Sequence, residues 1–141
     1  MAIDVQLMGR TGTSYALFTP QGVLATAAPE FDLTAFKSLS ATGTAYNFFE
    51  PKVGHCFIMK GMLAFATKDV NDSTDTIITV YESTAPDSTT ASKTILQFGM
   101  GKLTVLPLVP LNALINEGAY LNAKTDDNTI NMTIFGYYVP A

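Results

Sequence analysis

The stretch from Glu117 to Val139 constrains this chain most. It reads Glu117-Gly118-Ala119-Tyr120-Leu121-Asn122-Ala123-Lys124-Thr125, then Asp126-Asp127-Asn128, then Thr129-Ile130-Asn131-Met132-Thr133-Ile134-Phe135-Gly136-Tyr137-Tyr138-Val139. A glycine opens one alternating run, a polar turn reverses the chain, and a second alternating run follows. Alternation of period two is the mark of a half-buried strand. Two such runs around Asp-Asp-Asn predict a β-hairpin that closes an all-β domain. In the second run Ile130, Met132 and Ile134 share one face, and Asn131 and Thr133 the other. The apolar set is expected to face the core. The closing aromatics Phe135, Tyr137 and Tyr138 suit a sheet end packed on a partner or on a core lid.

The rest of the chain carries the same signature. Phe31 to Phe36 alternates, Thr44 to Phe49 is a second short run, and His55 to Thr67 is long and strongly apolar around Gly61. Glycine inside a strand often marks a bulge. Thr76 to Ser83 sets Ile77, Thr79 and Tyr81 against Ile78, Val80 and Glu82. Thr94 to Phe98 and Leu103 to Leu108 flank Gly99-Met100-Gly101-Lys102 as an expected hairpin. Single helical turns are conceivable over Asp32–Ser38 and Pro110–Asn116. The sum is about eight short strands, which suits a sandwich or a barrel.

The first thirty residues differ. Gly9, Gly12 and Gly22 interrupt short apolar pieces, Thr19-Pro20-Gln21-Gly22 fits a type I turn, and Ala25-Thr26-Ala27-Ala28-Pro29 is small and neutral. Residues 1–30 therefore read either as a hairpin (Tyr15–Thr19 with Val23–Ala27) or as an extended arm reaching a neighbouring subunit. Residues 31–141 read as the sandwich domain. In the arm reading, Ile3, Val5, Leu7, Arg10, Tyr15 and Phe18 are the candidate partner contacts.

Charge narrows the function. Only 14% of residues are charged, against about 25% in typical domains, while 48% are hydrophobic. So few charges suggest that part of the surface is buried against other chains. Eight basic residues against twelve acids leave a net charge of −4 and no basic stripe, which argues against nucleic-acid binding. The most apolar run, Leu103 to Ile115, is broken by Pro107, Pro110 and Asn112 and falls short of the ~18 residues of a membrane span. The N-terminus has an acid and no basic region, unlike a secretory signal. The single Cys56 allows no internal disulfide. These features suit a chain made and folded in cytosol.

Catalytic and metal chemistry finds little purchase. His55 and Cys56 are sequence neighbours on a strand, so they point to opposite faces and cannot form a dyad. Cys56 reads as a small buried apolar residue. The weak cation candidate is Asp69, Asp72 and Asp75, with Asn71 between them. It lacks the glycine and glutamate positions of a calcium hand and reads first as a polar turn. Glu50 precedes Pro51 as a loop residue. Gly9-Arg10-Thr11-Gly12-Thr13-Ser14 lacks the Gly-Lys-Ser/Thr ending of a phosphate loop. The expectation is no enzyme and no cofactor.

From Leu103 to Val139, about a quarter of the chain, the sequence resembles a family. The carriers are Val105-Leu106-Pro107-Leu108-Val109-Pro110-Leu111, then Glu117-Gly118-Ala119-Tyr120-Leu121, a polar turn, and Ile130 through Val139. This looks like the closing strands of small jelly-roll β-sandwich proteins of tailed-bacteriophage virions, which include head decoration (cement) proteins and related tail proteins. The family's usual Pro-Gly or Glu-Gly-Asp-Ser turn is represented here only by Asn116-Glu117-Gly118-Ala119. The resemblance implies an antiparallel jelly-roll sandwich that forms a homotrimer. It implies binding to the major capsid protein on the outside of a head, at three-fold or quasi-three-fold points. The alternative is a tail or fibre domain that binds a host glycan, through aromatics such as Tyr46, Phe48 or Tyr120.

Overall fold

The computed structural model describes residues 33–66, 76–101, 105–126 and 129–141. The N-terminal segment, with Ile3, Val5, Leu7, Arg10, Tyr15 and Phe18, lies outside the described residues, as do Asp69, Asn71, Asp72 and Asp75.

Eight strands form the domain: β1 (Leu33–Leu39), β2 (Tyr46–Phe49), β3 (His55–Ala66), β4 (Thr76–Ser83), β5 (Lys93–Met100), β6 (Val105–Ile115), β7 (Tyr120–Thr125) and β8 (Ile130–Pro140). They make two antiparallel sheets, ordered β1-β8-β3-β6 and β2-β7-β4-β5. This is the strand order of a jelly roll, two interleaved Greek keys. A sandwich, not a barrel, is the outcome.

Four expectations need correction. β7 pairs with β2 and β4, whereas β8 pairs with β1 and β3. The closing strands are therefore not a hairpin but an arch between sheets. β5 and β6 also lie in different sheets. Polar turn residues serve a tight hairpin and an arch equally well, so the sequence pattern did not separate them. The two suggested helical turns are strand: Leu33–Leu39 is β1, and Pro110 to Ile115 continues β6. β6 tolerates Pro107 and Pro110 because it is an edge strand, where a missing N–H need not break the sheet ladder.

The expected faces of β8 hold. Ile130, Met132 and Ile134 are fully buried, and Asn131 and Thr133 lie on the opposite face. They meet Leu39, Phe57, Met59, Met62, Ala64 and Ile115 of their own sheet and Phe48, Ile78, Val80, Met100, Leu121 and Ala123 of the other. Four methionines sit in this core, where an unbranched thioether fills irregular gaps between the sheets. The bulge expected at Gly61 is present: the register of β3 shifts between Met59 and Gly61 against both neighbours.

One end of the sandwich is closed by hydrogen bonds between sheets. Glu82 on β4 is buried, and its carboxylate accepts from the Asn116 backbone N–H at 3.0 Å and from the Asn116 amide at 3.1 Å. Lys93 reaches both Glu82 (3.4 Å) and the Leu114 carbonyl (3.1 Å). The Gly54 N–H donates to Glu117 at 2.7 Å. Gly118, at φ 84°, takes the left-handed conformation that lets the Asn116–Ala119 turn form.

The face assignment gives a paired prediction. Ile134→Asp removes about 1.5–3 kcal/mol of apolar burial and leaves an unpaired buried charge. Against a net stability of about 5–15 kcal/mol, this should unfold the domain. Thr133→Asp, one residue away on the outer face, should remain folded. Far-ultraviolet circular dichroism and thermal melts of both variants check this.

Candidate functional site

The two sheets differ in what their outer faces carry. Strands β1, β3, β6 and β8 contain no aspartate, glutamate or arginine, and their lysines are Lys37 and Lys60. The registers place the outward residues in rows across the sheet. Asn131, Phe65 and Val105 form one row, Phe36, Thr133 and Leu63 the next, and Tyr137, Ile58 and Leu114 a further one. Between them, a Cβ on Gly61 would stand 2.8 Å from the Phe135 ring and 3.3 Å from a Leu108 methyl. The bare glycine lets those two side chains close over β3 and makes the apolar surface continuous. Phe36 is 60% exposed, Val105 62%, Leu108 55%, Leu114 44%, Phe65 42% and Leu63 41%. Lys60 lies beside this surface with its ammonium 5.9 Å from the Tyr137 ring centre.

The other sheet covers part of its outer face with its own chain. The β4–β5 connection, Thr84 to Ser92, folds back across it. Tyr81 is fully buried, and its hydroxyl donates to the Ser88 carbonyl at 2.8 Å. Asn122, also fully buried, donates to the carbonyls of Ala85 (3.0 Å) and Ser88 (3.3 Å) and accepts from the Asn47 amide (3.0 Å). Lys124 donates to the Thr89 carbonyl at 2.7 Å, with its ammonium 5.3 Å from the Tyr81 ring centre. Beside the loop lies an open groove of about 430 Å³, floored by Ile77 and edged by Thr79, Gln97, Lys124 and Asp126. Its polar groups are engaged: Gln97 donates to Thr79 (2.9 Å), and Asp126 accepts from the Ile77 N–H (2.6 Å).

The chemical candidates stay apart. His55 opens β3, with Nδ1 2.9 Å from the Val53 carbonyl, and pairs with Pro140. Cys56 faces the other way, opposite Val139, and is half-buried instead of buried because the outer face on which it sits has no covering element among the described residues. Glu50 is exposed, and its carbonyl accepts from the Tyr138 hydroxyl. Among the described residues no three His, Cys, Asp or Glu side chains cluster as metal ligands. The proposed glycan aromatics are not at loop tips. Phe48 is in the core, Tyr46 accepts from the N–H groups of Ser40 and Ala41, and Tyr120 starts β7 opposite Ser83.

The residues of the apolar face, Phe36, Leu63, Phe65, Val105, Leu108 and Leu114, were not singled out from sequence. Their signal was there: His55–Thr67 and Leu103–Ile115 are apolar on both parities, the pattern of strands covered on both faces. No family model, curated protein or solved structure matches this chain.

Two tests follow. Asn122→Ala removes three hydrogen bonds, although the Asn47 amide keeps the Phe49 and Leu121 carbonyls, the Ala85 carbonyl keeps Ser83 and the Ser88 carbonyl keeps Tyr81. It should therefore cost about 1–2 kcal/mol in chemical denaturation and make Thr84–Ser92 more open to protease. The second concerns pH. Burial raises the Tyr81 phenol above its ordinary 10.0. Burial, and then the Glu50 charge, raise Tyr138 likewise. The fold thus favours both neutral phenols. Their contribution is complete below the unfolded value of 10.0 and is lost as pH rises through the folded values. Stability should fall above that pH, and less steeply in Tyr138→Phe. Denaturant midpoints across the alkaline range, with phenolate absorbance recorded in parallel, check it.

Proposed function

We propose that this chain is a structural virion protein: a capsid decoration or cement protein on the outside of a bacteriophage head. The observation that carries this reading is the outer face of the β1-β8-β3-β6 sheet, large, apolar and without a carboxylate in its strands. A face of that kind is an association surface. The jelly roll supports the reading at the level of architecture, since capsid and lectin domains share it, although a fold alone assigns no function. The hydrogen bonds of Glu82, Asn116 and Glu117 tie strands and turns together at one end of the sandwich, which suits a cement acting across seams between capsid subunits. In this reading the protein is made in the host cytoplasm, associates as a homotrimer and contacts the major capsid protein. It performs no catalysis and needs no cofactor.

Binding of a host glycan by a tail or fibre domain is the second reading. The groove beside Ile77 favours it, being of ligand size and edged by hydroxyl, amide, ammonium and carboxylate groups that suit sugar hydroxyls.

The test is co-sedimentation of purified protein with expanded heads of the encoding phage that lack it. Saturable binding that raises the temperature at which the heads release DNA is expected. Absence of binding, together with a positive glycan array, would move the function to the second reading.

A further inference from the structure

We infer that the outer face of the β1-β8-β3-β6 sheet is covered by a second copy of this chain. The inference rests on the reading of this face as an association surface, and names its occupant.

Charge selects the partner. The four strands offer no carboxylate for a basic partner, and on this face Lys60 alone, since Lys37 pairs with the core-facing Met132, is too little to draw an acidic one. The face's hydrogen-bonding groups for a sugar or a peptide backbone are few, Asn131, Thr133 and Tyr137 of β8, all half-buried, beside the more exposed Phe36, Leu63, Phe65, Val105, Leu108 and Leu114. What such a face complements is another neutral apolar face. A second copy carries one and opposes no acid to an acid when it docks.

Area agrees. Six large apolar side chains that are each 41–62% exposed leave roughly 500 Å² of apolar surface, taking each at about 150–200 Å². That lies at the upper end of the about 300–600 Å² found on ordinary monomers. The half-buried Ile58, Thr133, Phe135 and Tyr137 around it extend the face toward the about 800 Å² per partner of a stable interface. The opposite sheet differs within one molecule, because there Thr84–Ser92 covers the outer face around Tyr81 and Asn122, although Ile77 stays exposed beside it. Closed rings of two or of three copies both bury the face.

The experiment is light scattering coupled to size exclusion on the full chain, from about 1 to 100 µM, a range that brackets micromolar dissociation constants. The wild type should run as an oligomer. Phe36→Asp and Val105→Asp, at opposite edges of the face, should each weaken association at least tenfold. Ile77→Asp, on the other sheet, should leave the mass unchanged. If an aspartate variant unfolds, Phe36→Thr and Val105→Thr keep strand propensity and should still weaken association. A monomeric wild type at the top of the range, or an oligomer indifferent to all four face substitutions, overturns the inference. Head binding by a monomer would overturn it while leaving the decoration reading intact. A face-dependent oligomer that ignores heads would do the reverse.

Discussion

The register of β8 is the constraint on which the rest of this structure depends. β8 lies between β1 and β3, so its pairing fixes half of the first sheet. It places Ile130, Met132 and Ile134 against Ile78, Val80 and Leu121 across the sandwich. A slip of one residue would turn all three to the outside and put Asn131 and Thr133 in the core. Because the outer face is itself apolar, polarity on that side does little to oppose the slip. Specificity comes instead from fit. Gly136 passes so close to the Ile58 carbonyl that no side chain fits there, and Gly61 beds the Phe135 ring. Any other alignment brings a bulkier residue to one of these points.

The two outer faces then follow different physical solutions. On β2-β7-β4-β5, buried Tyr81 and Asn122 hold the Thr84–Ser92 loop by its carbonyls, so the part of that outer face around them is covered within the chain, and Ile77 stays open at the groove beside it. On β1-β8-β3-β6, nearly every outward residue of β3 and β6 is apolar and many are exposed. The strands of this sheet, whose outer face has no cover among the described residues, carry no acid, and their lysines are Lys37 and Lys60.

Much of this was legible in the sequence. Alternation placed Ile130, Met132 and Ile134 on the core face, it separated Ile78 and Val80 from Ile77 and Thr79 without saying which set would be buried, and Gly61 marked its bulge. The topology was not legible, because Asp126-Asp127-Asn128 suits an arch between sheets as well as it suits a hairpin. The proline-bearing Pro110–Asn116 segment suggested a helical turn because edge placement, which makes proline tolerable, is a property of the sheet and not of the segment. Asn122 and Glu82 gave no signal either. Their importance arises from loops and turns 34 to 37 residues away in sequence. The apolar outer face was half visible: the unbroken apolar runs called for cover on both sides, but alternation alone did not say which residues would stay uncovered.

Hydroxyl-radical footprinting of the protein, at high and at low concentration, tests the central claim most directly. Concentration should protect Phe36, Leu63, Phe65, Val105 and Leu108, with Ile77 on the other sheet modified equally at both. Equal modification of all six residues at the two concentrations would contradict the claim that the β1-β8-β3-β6 face is where this chain associates.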